Sequence, residues 1–230
     1  MLINLQGKLQ IYPIMKREFG KTNNIILLYM NFISELNFNN KKGRLSILLI
    51  LSILISCYII FVSMQKSYVP ILPNISFLHP DSKKESGEVL RKLKNRGGHE
   101  INLFYETDYS VVTAFKKVVP EESEEELNAI ATEKNWLVLL LKYLINRPRP
   151  YQFCNEIKEN MLTSKTGNTP AYPSGHSFQA FYLAKKLSEK HPALQPKLYQ
   201  TAEDCGNARI IAGIHYPSDH EFSRWLVSNL

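Results

Sequence analysis

Apolar residues fill one stretch near the N-terminus and recur at helical intervals through the second half of the chain. The stretch 45–64, LSILLILSILISCYIIFVSM, carries no charge. A helix needs about 20 residues to cross a bilayer, so this pattern predicts a transmembrane signal anchor over 45–64. Lys41, Lys42 and Arg44 precede the stretch and Lys66 follows it closely, which favours a cytoplasmic N-terminus. A cleaved signal peptide and a buried core helix are the alternative interpretations.

Beyond residue 82, apolar residues keep a helical spacing and strand-like alternation is rare. An acidic run after Pro120 is typical of a helix start, and Pro148 and Pro150 end the same helix. Further helices are predicted over 86–93, from 174 or 175 to about 190, and over 195–211, with Pro217 breaking the chain before a short last segment. The predicted fold class is all-α, a helical bundle.

These patterns divide the chain into four parts. We expect a basic cytoplasmic segment over 1–44, the anchor over 45–64, a proline-containing linker over 65–82 and a globular domain over 83–230. The helices of the domain are interrupted by Lys142, Lys185 and Lys186 and therefore cannot span a membrane. The domain is expected to be soluble and tethered on the non-cytoplasmic side, whether periplasmic, luminal or extracellular.

The net charge of +7 is concentrated at the N-terminus. Residues 1–65 contain seven Lys and Arg against two acidic residues, which accounts for +5 and leaves +2 for the remainder. The basic excess is thus explained by membrane topology, and no nucleic-acid partner is expected. Cys154 and Cys205 both fall in the domain, where they are either a disulfide pair or two buried thiols.

Three short blocks in the C-terminal third contain groups suited to an oxyanion. They are KYLINRPRP at 142–150, PSGH at 173–176 and RIIAGIHYPSD at 209–219. The first and third blocks supply cations, namely Lys142, Arg149 and Arg209. In the second block, Gly175 lets the backbone at a helix N-terminus approach an anion, and Ser174 can cap that helix or donate its hydroxyl.

The blocks also supply two histidines. A proline-containing turn can bring Asp219 against His215, and a carboxylate partner fixes the tautomer and raises the basicity that a nucleophilic histidine needs. His176 lies at the rim of the anion site, where it could protonate a leaving oxygen. Gly213 is expected to leave room beside the oxyanion. Taken singly, each block also fits a solvated basic face, a serine N-cap or a surface His–Asp pair.

Together the blocks resemble the signature of the phosphatidic acid phosphatase type 2 superfamily, over roughly residues 120–225. That signature is Lys, six residues, Arg-Pro; then Pro-Ser-Gly-His; then Ser-Arg, five residues, His, three residues, Asp. The nearest branch is that of the bacterial class A acid phosphatases and haloperoxidases. One departure is Ala208, where the family has Ser.

The resemblance implies a role for each residue. His215 would form a phosphohistidine, Asp219 would orient it, and His176 would protonate the leaving alcohol and then activate water. The phosphate-binding residues would be Lys142, Arg149, Ser174, Gly175 and Arg209.

The expected function is therefore metal-independent hydrolysis of phosphate monoesters, without a cofactor. Soluble phosphoesters are slightly favoured over lipid phosphates, although the anchor over 45–64 would hold the site beside a bilayer. One alternative is a vanadium-dependent haloperoxidase, which the modest length of the chain disfavours. The other is a non-catalytic membrane-tethered module that only binds an anion, which the intact histidines and aspartate disfavour.

Overall fold

The computed structural model describes residues 47–57 and 74–230, which belong to two separate units. The first unit spans Met1–Gln65, and its described part, 47–57, is helical with mostly exposed side chains. Neither described range contains a helix both long and apolar enough to cross a membrane. The rest of the predicted anchor, the segment 1–44 and the first half of the predicted linker lie outside the described residues.

The regular secondary structure of residues 74–230 is entirely helical, with no strand in this range. A 3₁₀ turn at Ser76–Leu78 opens it, and another at Pro192–Leu194 joins two long helices. The α-helices of this range are α1 Ser82–Lys94, α2 Gly98–Thr107, α3 Val112–Lys116, α4 Glu124–Thr132, α5 Asn135–Ile145, α6 Pro150–Phe153, α7 Asn155–Asn160, α8 Gly175–Lys190, α9 Gln195–Ile211 and α10 Pro217–Ser228. The predicted all-α class is confirmed for the described domain.

Local sequence explains where several helices begin. The carboxylate of Asp81 accepts the N–H of Lys83 at 2.8 Å and caps α1. The hydroxyl of Ser123 accepts the N–H of Glu126 at 3.1 Å, so the acidic run begins α4 as predicted. The helices predicted at 174/175–190 and 195–211 are confirmed as α8 and α9. The helix predicted at 86–93 is the C-terminal part of α1.

One prediction about helix ends is wrong. The single helix expected between Pro120 and Pro148 is divided into α4 and α5 by a break at Glu133 and Lys134. Contacts with α8 fix this break, because the hydroxyl of Tyr182 donates to Glu133 at 2.9 Å. Pro217 follows the break between α9 and the short last segment, as predicted, and that segment is α10. The proline is the first residue of α10, a position where its missing N–H costs nothing.

Helix α8 is the centre of the domain. It packs against α9, α10, α4 and α5. The side chains predicted to face inward, Phe178, Phe181, Tyr182 and Leu187, are all buried in its core cluster. The second sequence block is the start of α8 itself. The helices α5, α9 and α10, which pack against α8, contain parts of the other two blocks.

The two domain cysteines are free thiols, so the disulfide alternative does not apply. Cys205 is buried in the core cluster around α8, and burial raises the pKa of its thiol to about 12.

Candidate active site

Backbone hydrogen bonds bring the three blocks together where α8 begins. The N–H of Ser174 donates to the carbonyl of Asp219 at 3.1 Å. The N–H of Ala171 donates to the carbonyl of Arg147 at 2.8 Å. The loop after α5, the turn between α9 and α10, and the start of α8 therefore form one site.

The end of α5 places the first two predicted cations. Asn146 adopts the left-handed conformation (φ 51°), which asparagine tolerates better than most residues, and its N–H donates to the carbonyl of Lys142 at 2.7 Å. This turn ends the helix. Lys142 stays on α5, while Arg149 lies in the loop, and both side chains are almost fully buried.

Burial governs the electrostatics of these cations. It lowers the pKa of Lys142 well below its usual range, the nearby Arg149 lowers it further, and Asp219 opposes the shift. The ammonium of Lys142 donates to the carbonyl of Pro170 at 2.5 Å. Burial likewise lowers the pKa of Arg149. Two buried cations that repel each other favour the binding of an anion between them.

Arg149 is oriented by carbonyls and faces the predicted nucleophile. Its Nε donates to the carbonyl of Thr169 and its Nη1 to that of Ile214, both at 2.8 Å. The same Nη1 lies 3.0 Å from Nε2 of His215. A guanidinium carries donors only, so Nε2 of His215 must accept here.

His215 and Asp219 form the pair that the spacing predicts. Nδ1 of His215 lies 2.8 Å from Oδ2 of Asp219. Because a carboxylate only accepts, Nδ1 carries the proton and Nε2 keeps its lone pair. Burial lowers the pKa of His215 well below its usual value, and the positive charges of Arg149 and Lys142 lower it further. The neutral imidazole is thus favoured, with its lone pair directed at Arg149.

Arg147 is a functional residue that the sequence reasoning missed. Its Nη1 donates to Oδ1 of Asp219 at 2.7 Å, and both side chains are fully buried. Oδ2 of Asp219 also accepts the N–H of Tyr216 at 2.9 Å. The spacing of the motif selects Arg149 and passes over Arg147. The one signal for Arg147 was that it too is followed by proline, two residues before Arg149.

The remaining donors of Arg147 connect the site to α1. Nη2 donates to Glu85 at 2.6 Å and Nε donates to the hydroxyl of Ser82 at 3.1 Å. The guanidinium carbon lies 3.8 Å from the ring centroid of Tyr216. Burial lowers the pKa of Arg147, but the carboxylates of Asp219 and Glu85 outweigh it, so the net shift is upward. Arg147 therefore remains charged beside Asp219.

His176 and Arg209 are joined by a second missed residue, Asp108, in the turn after α2. Nε2 of His176 lies 3.0 Å from the carbonyl of Asp108, which can only accept. Nη1 of Arg209 donates to the Asp108 carboxylate at 3.2 Å. Burial, and then Arg209, lower the pKa of His176 to about 3. His176 is therefore neutral, with its proton on Nε2. No motif spacing pointed to Asp108.

Arg209 is more constrained than its predicted role suggests. Its Nη2 donates to the carbonyl of Phe104 at 2.8 Å and to the hydroxyl of Thr107 at 2.5 Å. Burial lowers its pKa to about 10. Its Nε is buried and has no hydrogen-bond partner among the described residues, so this donor remains available to a phosphate oxygen.

Ser174 and Gly175 begin α8 as predicted. The hydroxyl of Ser174 accepts the N–H of Ser177 at 3.3 Å and caps the helix. A Cβ on Gly175 would lie 3.8 Å from Cε of Lys142, which places the lysine directly beside the helix N-terminus. The first N–H groups of a helix have no acceptor within it, so they are suited to bind an anion.

The expectation for Gly213 is wrong. Its φ is 80°, and a Cβ there would lie 2.9 Å from Leu93 and 3.0 Å from Ile157. Glycine is thus required by a left-handed backbone packed against apolar side chains, not by an oxyanion. Ala208, where the family has Ser, is buried in an apolar cluster with Phe104 and Leu162.

The described residues contain one group of three side chains with metal-ligand spacing, namely Glu121, Glu122 and His191. Glu122 already accepts from Lys190 and His191, each at 2.6 Å. None of these residues belongs to the predicted site.

Sequence comparisons show which known proteins this chain is similar to. The sequence model described as "PAP2 superfamily" matches residues 127–227, a range that contains every predicted site residue. A non-specific acid phosphatase of Providencia stuartii is 29% identical over 174 residues, which is 69% of this chain and 68% of that protein. A non-specific acid phosphatase of Salmonella typhimurium is 31% identical over 123 residues, 48% of this chain and 46% of that protein.

Proposed function

Because residues 127–227 match the sequence model of the PAP2 superfamily, we propose that this chain hydrolyses phosphate monoesters through a phosphohistidine on His215. The observation that carries the proposal is the contact between His215 and Asp219 at 2.8 Å, which leaves an unprotonated Nε2 among buried cations. Both relatives are named non-specific acid phosphatase, which supports the reaction class.

Substrate binding uses the positive charge of the site. The phosphate lies between Lys142, Arg149 and Arg209, with the N-terminus of α8 contributing backbone N–H groups. Each of these three cations has a pKa that burial lowers, so each is stabilised when a dianion enters. Fixed cations also stabilise the negative charge that phosphoryl transfer carries, so no metal ion is required.

The first chemical step is an attack by Nε2 of His215 on phosphorus. A nitrogen–phosphorus bond forms while the bond from phosphorus to the ester oxygen breaks. Asp219 accepts the hydrogen bond of Nδ1–H throughout, so it stabilises the positive charge that develops on the ring. Nη1 of Arg149, at 3.0 Å from Nε2, must turn from the lone pair to a phosphate oxygen before the attack.

His176 gives a proton to the leaving alkoxide. At a pKa of about 3 it would rarely hold that proton, but two of the groups that lower its pKa are Arg209 and Arg149. A bound phosphate offsets both positive charges and therefore raises the pKa of His176. The acid is in this way charged only when substrate is present. In the second step, neutral His176 takes a proton from water, which attacks phosphorus and releases His215.

For the substrate we propose soluble phosphate monoesters ahead of lipid phosphates. The names of the relatives support a broad specificity. A lipid phosphate is the second candidate because the apolar run 45–64 is predicted to anchor the chain at a bilayer, with the catalytic domain on its non-cytoplasmic side.

The test is hydrolysis by the full chain of p-nitrophenyl phosphate and of phosphatidic acid in detergent micelles, with and without chelator. We expect turnover of p-nitrophenyl phosphate that the chelator leaves unchanged and that His215→Ala abolishes. Absence of both activities between mildly acidic and neutral pH would refute the proposal. Chelator-sensitive turnover would replace it with a metal mechanism.

A further inference from the structure

A second buried histidine, His220, directly follows Asp219 but belongs to a separate hydrogen-bond chain. Its Nε2 lies 2.8 Å from a carboxylate oxygen of Glu203 on α9. Its Nδ1 lies 3.0 Å from the hydroxyl of Ser177 on α8. That hydroxyl in turn donates to the hydroxyl of Ser174 at 2.9 Å. A continuous chain thus leads from Glu203 to the N-cap of α8, where the phosphate is proposed to bind.

The fold makes space for this histidine. A Cβ on Gly206 would lie 2.0 Å from Nδ1 of His220 and 2.9 Å from the hydroxyl of Ser177, so α9 accepts the imidazole only with a glycine at that position. The ring also packs on Phe181, with centroids 5.3 Å apart. His220 is 3% exposed. It therefore has a defined orientation rather than a choice of rotamers.

The charged groups around His220 fix the proton on Nε2. Glu203 on α9 is the carboxylate in contact, and Arg224 on α10 donates to the other oxygen of Glu203 at 2.8 Å. These two contacts help to lower the pKa of Glu203, although burial opposes the shift. From α8 the ring meets the hydroxyl of Ser177 and the ring of Phe181. An ionised carboxylate only accepts, so Nε2 of His220 donates to it in either charge state.

The state of Nδ1 then sets the direction of both hydroxyls. When His220 is neutral, Nδ1 accepts the one proton of Ser177. This reverses the direction from Ser177 to Ser174 that the structure shows, and the oxygen of Ser177 then accepts from Ser174. When His220 is protonated, Nδ1 donates to Ser177, Ser177 donates to Ser174, and the proton of Ser174 is released from the chain. Each hydroxyl has one proton to donate, so the two arrangements exclude each other.

We propose that His220, through Ser177, positions the hydroxyl of Ser174 and that protonation of His220 makes this hydroxyl a donor to the bound phosphate. The inference rests on the proposed function in one respect, namely that phosphate binds at the N-terminus of α8. His220 is a positioning residue, since it contacts neither phosphate nor His215. If Ser174 donates to phosphate when His220 is protonated, phosphate should bind more tightly in acid than the cations alone would allow.

The test is the affinity of the full chain for inorganic phosphate, measured by calorimetric titration between pH 5 and about 8. The wild type is compared with His220→Gln and Ser177→Ala. A hydrogen bond to a charged group favours binding by about tenfold or more. We expect His220→Gln to bind about as well as wild type at the alkaline end and about tenfold more weakly at the acidic end. Ser177→Ala frees the proton of Ser174 at every pH, so it should match wild type at the acidic end and bind about tenfold more tightly at the alkaline end. The protonation of phosphate itself affects wild type and variant equally, so it cancels in the ratio of their affinities.

A background variant and a matched control separate positioning from structural damage. In Ser174→Ala, the further change His220→Gln should have no effect, because the hydroxyl that it acts on is gone. His191→Gln removes another histidine paired with a glutamate, at 2.6 Å, and should leave the ratio at one across the range. Thermal unfolding at each pH checks that the variants are folded. If His220→Gln does not fold, the binding of phosphate by Ser177→Ala decides the test.

A pH-independent ratio, or an undiminished effect of His220→Gln in the Ser174→Ala background, would overturn the proposal. Because titration with phosphate needs no turnover, this outcome is distinct from a failure of the proposed function, which would appear as a wild type that binds phosphate without hydrolysing monoesters.

Discussion

Arg147 holds Asp219 from the side opposite His215. Its Nη1 lies 2.7 Å from Oδ1 of Asp219, while Oδ2 lies 2.8 Å from Nδ1 of His215. Neither Arg147 nor Asp219 is exposed to solvent. The arginine thus offsets the charge of the aspartate, so the imidazole can remain neutral and keep its lone pair. Since Arg147 also binds Glu85, the orientation of the proposed nucleophile depends on α1 as well.

Replacing Arg147 should impair both stability and turnover. Arg147→Ala leaves a buried carboxylate without its partner, which typically costs about 3–5 kcal/mol of unfolding free energy. Arg147→Lys keeps the charge but loses the two-armed contact, so we expect an intact fold, a kcat at least about tenfold lower and a KM close to wild type. Urea unfolding and p-nitrophenyl phosphate kinetics measure these effects.

The control for this prediction is Lys94→Ala. Lys94 forms an exposed ion pair with Glu156, so its removal should cost less than about 1 kcal/mol and leave kcat unchanged. If Arg147→Lys retained wild-type kcat, Arg147 would have no positioning role.

Asp108→Asn should shift the pH profile. The Asp108 carboxylate raises the pKa of His176, against burial and the charge of Arg209. Its loss lowers the pKa of the proposed acid in the enzyme–substrate complex, so the alkaline decline of kcat should begin at a lower pH. Asp81→Asn is the matched control, because asparagine caps α1 as well as aspartate does. An unshifted decline in Asp108→Asn would contradict the role of His176.

Acid should destabilise the protein partly through His176. Its pKa is lowered in the fold to about 3 from an ordinary 6.5, so the unfolded chain binds the proton more readily. This contribution to stability is complete above pH 6.5 and is lost as the pH falls toward 3. His176→Gln should therefore flatten the dependence of the unfolding free energy on pH, by at most about 1.4 kcal/mol per pH unit.

Denaturant unfolding at several pH values measures that slope. His99→Gln serves as the control, because an exposed imidazole keeps its contact with solvent in both states. An equal slope in wild type and His176→Gln would show that His176 titrates normally in the fold.

Two glycine substitutions should have opposite signs. Gly206→Ala places a Cβ against His220 and Ser177, so it should destabilise the fold by about 1–3 kcal/mol. Gly87 lies on α1, and a Cβ there would have no neighbouring atom within 4 Å. Gly87→Ala should therefore stabilise the protein by about 0.5–1 kcal/mol. Thermal unfolding compares them. A neutral Gly206→Ala would mean that the space around His220 is not tight.

The sequence predicted most reliably what local signals specify. Helices α8 and α9 were predictable because a serine cap, apolar spacing and flanking prolines define them. The pairing of His215 with Asp219 followed from four-residue spacing across a turn. The break between α4 and α5 was not predictable, because it depends on the contact of Glu133 with Tyr182, which is distant in sequence.

The supporting residues of the site were missed for the same reason. Arg147 and Asp108 contact residues more than sixty positions away. The second Arg-Pro step was a local signal for Arg147, and the sequence around Asp108 gave none. Gly213 was misinterpreted because spacing shows where a glycine stands but not which side chains pack against it.

The most direct test of the central claim is to trap the covalent intermediate. The full chain is mixed with p-nitrophenyl phosphate, quenched in alkali during the first turnover, digested and analysed by mass spectrometry, with His215→Ala in parallel. We predict a phosphoryl group on His215 in the wild type and none in the variant. A phosphoryl group on another residue, or turnover retained by a folded His215→Ala variant, would contradict the account.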